Sequence, residues 1–169
     1  MLWTVGSYQT AKQMSRILDI LIKIPYSSDL QTPLLSVATA ALTSTHSDLS
    51  VWMSSGRRFI DHAWSASQSL AVPLTGALCE LNWGGFKQFA LPAFTSRCLD
   101  ILGSTHEDLK LRTLRTIVLL VGNGMLKGAE DDWRTKLGAW VRHELEKQST
   151  PSISEDFVRE YYLLAHSRL

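Results

Sequence analysis

The chain has 169 residues, 45% of them hydrophobic and 20% charged, a balance that sustains a packed core and excludes an intrinsically disordered chain. A formal net charge of +1 gives no overall attraction to nucleic acid or to an anionic membrane, so any RNA contact has to come from a local patch. Cys79 and Cys98, the only cysteines, suggest neither a disulfide framework nor a zinc site and fit a reducing compartment.

The opening MLWTVGSYQT lacks the basic-then-apolar order of a signal peptide. The longest apolar stretch, Ile117 to Val121, is too short to cross a bilayer. The expectation is a soluble intracellular chain. Both ends are apolar, at Met1-Leu2-Trp3 and at Tyr161-Tyr162-Leu163-Leu164. Solenoid ends need polar caps, so these ends suggest a segment of something larger, or one covered by partners.

In chain order, a first helix is predicted from about Tyr8 to Ile24. Met14, Ile17, Leu18, Leu21 and Ile24 share one face, and Pro25 ends it. Thr32-Pro33 opens a second, with Leu34, Leu35, Val37, Ala38, Ala41 and Leu42 as its buried side and Thr43 to Ser47 as the loop after it. A third covers Asp48 to about Ser65 and is expected to break at Gly56. Leu49, Trp52 and Met53 lie before the break; Phe59, Ile60, Ala63 and Trp64 lie after it. Ser67 to Leu81 reads as a fourth, its start obscured by Pro73.

A fifth begins near Gly84-Gly85 and runs to Leu102, kinked or split by Pro92. Ser104-Thr105-His106-Glu107 has the pattern of a capping box and introduces a sixth, ending at Gly122-Asn123-Gly124. Asp131 to Lys147 is a seventh, with Trp133, Leu137, Trp140, Val141 and Leu145 on one stripe. A second capping box, Ser152 to Glu155, precedes a final helix carrying Phe157, Tyr161 and Leu164. About eight helices result, with no convincing strand. Their pairwise rhythm of ~40 residues matches HEAT or armadillo units. The fold class expected is therefore all-α, a helical-repeat solenoid segment over residues 1–169, stacked as a right-handed array, with a closed bundle as the alternative.

Catalytic patterns are weak. Val121 to Gly128 comes after a β-branched run and contains Gly122, Gly124 and Gly128, so a strand–glycine turn–helix that cradles a pyrophosphate is one reading. The third glycine comes one position late and no βαβ unit succeeds it; a helix C-cap in which Gly122 and Gly124 take positive φ is the alternative. The five histidines are His46, His62, His106, His143 and His166. His143-Glu144 starts like a zincin helix, but Lys147 stands where the second ligand would be. Cys79 and Cys98 have no local base and read as core thiols. Glu130, Asp131 and Asp132, like Asp108, complement the positive end of a helix. Arg57-Arg58 and Lys110, Arg112 and Arg115 form the basic clusters; they offer contacts to RNA phosphates or are ordinary solvated surface. No catalytic, cofactor or metal-binding residue is assigned.

The most distinctive stretch is Leu81-Asn82-Trp83-Gly84-Gly85-Phe86-Lys87-Gln88-Phe89-Ala90-Leu91-Pro92-Ala93-Phe94. Trp83, Phe86 and Phe89 sit where two helices meet, Gly84 and Gly85 permit a close bend, and Pro92 forces a break in the second helix. This W-x-x-F-x-x-x-x-L-P corner resembles an inter-repeat corner of the giant helical-repeat scaffolds of the small-subunit processome, the down-regulated-in-metastasis family. The resemblance covers about fourteen residues, and it implies a non-enzymatic scaffold of nucleolar ribosome assembly. Such a scaffold would bind pre-ribosomal proteins and RNA, without a small-molecule substrate or a membrane. A protein-only transport receptor or assembly chaperone, in the cytoplasm, is the alternative; a small nucleotide-binding enzyme using Gly122 to Gly128 is a third reading.

Overall fold

In a computed structural model the protein is described over residues 2–43, 50–126 and 132–146, with Arg159, Tyr162, Leu163 and His166. The described residues are helical and contain no strand. They comprise α1 (Leu2–Lys23), α2 (Gln31–Thr43), α3 (Ser50–Ala66), α4 (Gln68–Glu80), α5 (Leu91–Thr95), α6 (Cys98–Leu102), α7 (Glu107–Gly122) and α8 (Asp132–Glu146). A 3-10 turn (Ser28–Leu30) precedes α2 and a π turn (Phe86–Ala90) runs into α5. Taken as one interrupted helix, the stretch 86–102 brings the total to seven helices among the described residues rather than about eight. Of the final helix expected after Ser152, the described residues are Arg159, Tyr162, Leu163 and His166, all helical; its other residues, and the loop from 44 to 47, lie outside the described residues.

The chain forms two compact units, Met1–Phe94 and Thr95–Leu169. In the first, α1 packs chiefly on α3 and also on α2, while α2 and α3 each pack on α4. The core tracks the apolar stripes: Leu18 and Leu21 of α1, Ala38 and Leu42 of α2, Phe59, Ile60 and Ala63 of α3, and Leu70, Leu74 and Leu78 of α4 are buried. In the second unit α6 packs on α7 and α8. Ile101, Leu102, Leu114, Ile117, Leu120 and Leu137 are buried there. Thr113 and Thr116, also buried, turn their hydroxyls back to the carbonyls of Leu109 (2.8 Å) and Arg112 (3.0 Å).

Two local expectations are corrected and one is made definite. First, α3 runs unbroken through Gly56. The glycine serves packing, not bending: a Cβ there would lie 2.8 Å from Trp83 Cζ2 and 3.0 Å from Leu42 Cδ2. Second, the start that Pro73 obscured is fixed by Ser67, which caps α4 by accepting from Ser69 N–H, and Pro73 lies within the helix as the span Ser67 to Leu81 has it. Proline has no N–H for the Ser69 carbonyl one turn back. The Gln31 amide supplies it, Nε2 donating to Ser69 O at 2.8 Å, while the Tyr26 hydroxyl donates to Gln31 Oε1 at 3.1 Å. A long-range side chain thus fills the gap that makes proline a breaker.

Third, the capping box at Ser104 does not form. The Ser104 N–H closes the turn after α6 by donating to Ile101 O, its hydroxyl is buried without a hydrogen bond, and α7 starts later, after His106. The split at Pro92 is more elaborate than a kink. The π turn widens the helix just before it, with Leu91 N–H reaching Phe86 O, and a turn at 96–97 then separates α5 from α6.

Candidate functional site

The corner at 81–94 begins with the end of α4. Trp83 N–H donates to Leu78 O and Asn82 N–H to Cys79 O, with Asn82 at φ 51°. This is a Schellman cap, and its left-handed residue is Asn82, not Gly84 or Gly85. Trp83 is 4% exposed and Phe86 2%, so both rings are interior; Phe89 is half-buried. The Trp83 ring lies 6.3 Å from Phe89 and covers Gly85, where a Cβ would come within 2.6 Å of it. Gly85 is therefore required for ring clearance, while Gly84 is exposed. Trp64 and Phe94 form a second ring pair at 6.4 Å. The Arg57 guanidinium stands 5.9 Å above the Phe89 ring. With its large rings turned inward, this corner can join helices but offers little aromatic surface to a partner.

The basic residues divide between the units. In the first, Arg57 pairs with Asp61 (3.8 Å) and Arg58 with Asp19 (2.9 Å). In the second, Arg112 Nε donates to Asp108 Oδ2 at 2.8 Å; Lys110 is half-buried on the same helix and Arg115 is exposed. The exposed pairs are screened and contribute little to stability, so the cations can exchange partners.

The glycine loop has different geometry from a phosphate cradle. Thr116 to Val121 is part of α7, so the strand that cradle needs is absent. Gly124, at φ 65°, closes α7 in a second Schellman cap, with Met125 N–H on Leu120 O and Gly124 N–H on Val121 O. Gly122 is the last residue of the helix and has no positive φ. Lys127 and Gly128 lie outside the described residues.

Cys79 and Cys98 are buried thiols outside any disulfide, and burial pushes Cys98 up to about 11. Among the described residues no three His, Cys, Asp or Glu side chains come together as a metal site, and no helix is long and apolar enough to cross a membrane.

The sequence reading missed a groove between α1 and α3, lined by Lys12, Ser15, Arg16, Asp19, Ser54, Ser55 and Arg58. Its one legible trace is Ser15, a hydroxyl on the face of α1 that also carries the buried Ala11 and Leu18. Ser55 and Arg58 come from a helix distant in sequence, and only packing brings them there.

No protein-family profile, curated protein or solved structure matches the chain.

Proposed function

We propose that this chain is a non-enzymatic scaffold segment that works by contact, holding other proteins of a large assembly. The observation that carries this reading is the packing of α1 on α3 and of α2 on α4, with α1–α2 and α3–α4 as neighbours. We read these as two successive helix pairs of a HEAT-like array, in which one layer is built from first helices and the other from second helices. Such an array holds partner helices or extended peptides along its ridges and grooves. The processome-like corner around Trp83 makes nucleolar ribosome assembly the preferred setting. Pre-ribosomal RNA is then a second partner, met by Arg57, Arg58, Lys110, Arg112 and Arg115.

The test is affinity purification of the native tagged protein with and without nuclease. Pre-ribosomal RNA and assembly factors that co-purify, with charge reversal at Arg112 and Arg115 weakening RNA retention and flattening its salt dependence, are the expected result. A protein-only scaffold is the second reading, favoured by the carboxylates already facing Arg57, Arg58 and Arg112. Partners retained after nuclease, with no change on charge reversal, would select it and remove RNA.

A further inference from the structure

The groove between α1 and α3 has a volume of about 450 Å3 and a charge balance unlike that of the chain as a whole. Lys12, Arg16 and Arg58 bring three positive charges to it, and Asp19 brings one negative charge. Ser15 and Ser55 are 5% and 1% exposed, so two hydroxyls lie at its floor. Arg58 links the two sides: its Nη2 donates to Ser55 Oγ at 3.2 Å and lies 2.9 Å from Asp19 Oδ1.

The floor is incompletely satisfied. Ser15 Oγ has no hydrogen-bond partner, and Asp19 Oδ1, shielded from solvent, meets Arg58 as an ion pair but outside hydrogen-bond alignment. Buried hydroxyls are ordinarily paired, and a helical serine can usually turn to the carbonyl one turn back. An unpartnered Ser15 hydroxyl beside three cations is a donor set in need of acceptors.

We infer that this groove binds a phosphomonoester dianion, with Arg16, Lys12 and Arg58 neutralising its charge and Ser15 donating to one of its oxygens. A tetrahedral dianion offers several acceptor oxygens to convergent donors, and a guanidinium fork matches two of them. The open groove leaves room beside the phosphate for whatever carries it. Nucleic-acid backbone fits less well: a run of diesters calls for cations spaced along a track, whereas here three cations line one groove together with a carboxylate. The inference does not depend on the scaffold reading, although Arg58 figures in both. On binding, the phosphate takes Arg58 from Asp19, so the acid is a built-in competitor.

Titration of the full chain with O-phosphoserine, and with a short phosphoserine peptide, monitored by amide chemical shifts, tests the site. Saturable shifts on α1 and α3 are expected. Arg16→Gln and Arg58→Gln should each weaken binding by about tenfold or more, the scale of a lost charge-assisted hydrogen bond, and Ser15→Ala by about threefold or more. Asp19→Asn should tighten it, a gain that no loss of folding can mimic. Tighter binding of the peptide than of the free amino acid identifies a polypeptide carrier; equal binding identifies a small phosphate compound. Absence of saturation at millimolar ligand, or binding indifferent to all four substitutions, would overturn the inference. So would tighter occupancy of the same groove by a single-stranded RNA oligomer.

Discussion

Trp83 illustrates how much one side chain can organise. Its ring fills the space over two glycines, Gly56 on α3 and Gly85 in the corner, and is almost fully enclosed. Trp83→Ala should cost about 3–5 kcal/mol, read as a lower denaturation midpoint with an unchanged denaturant slope. A cost near zero would mean that the ring does not hold the corner together. Cys98 makes a second residue-level case. Desolvation raises its pKa in the folded state to about 11, whereas an unfolded thiol titrates near about 8.5. In that interval the native chain holds the proton that the unfolded chain releases, so folding stability should fall as pH rises from about 8.5 to about 11. Cys98→Ala should remove this component from the pH profile of stability; an identical slope in the variant would contradict the assignment. The cysteines were legible as core thiols from their apolar neighbours. That Gly56 and Gly85 give clearance to one ring was not, since the ring comes from elsewhere in the chain.

The helices themselves obey local rules, and their exceptions obey distant ones. Apolar spacing places α2, α7, α8 and the end of α1 close to their observed limits, because an amphipathic stripe is a local property, although α1 begins at Leu2 rather than near Tyr8. Gly56 was read as a break and is not one, whereas Pro73 obscured only the start of a helix that does run through it. At Pro73 the compensation is specific: Gln31 donates to the carbonyl that proline leaves open. Gln31→Ala should therefore cost about 1 kcal/mol in the native chain and much less in a Pro73→Ala background, where alanine restores the backbone donor. A double-mutant cycle measures this, and equal costs in both backgrounds would sink the explanation. The missed capping box at Ser104 has the same origin. Its spacing was right, but the serine is held in the closing turn of α6, so α7 begins at Glu107.

At the scale of the molecule, the chain falls into two compact units, each with its own enclosed apolar side chains. A fragment spanning 1–94 contains all four of the mutually packed helices α1 to α4, together with the aromatic corner. It should unfold cooperatively in isolation, with helical circular dichroism and a sharp thermal transition. A non-cooperative melt would show that the first unit needs the rest of the chain. By itself the sequence determined the helical class and most of the buried faces, because 3.6-residue periodicity and turn chemistry act over a few residues. It also determined the aromatic character of the corner. Only the tertiary structure decided that Gln31 fills the gap Pro73 leaves, that Gly56 receives a tryptophan ring, and that Ser15 and Asp19 face Ser55 and Arg58 across a groove. Those outcomes depend on which helix lies against which, and residues about forty positions apart are brought together only by burying the faces they share.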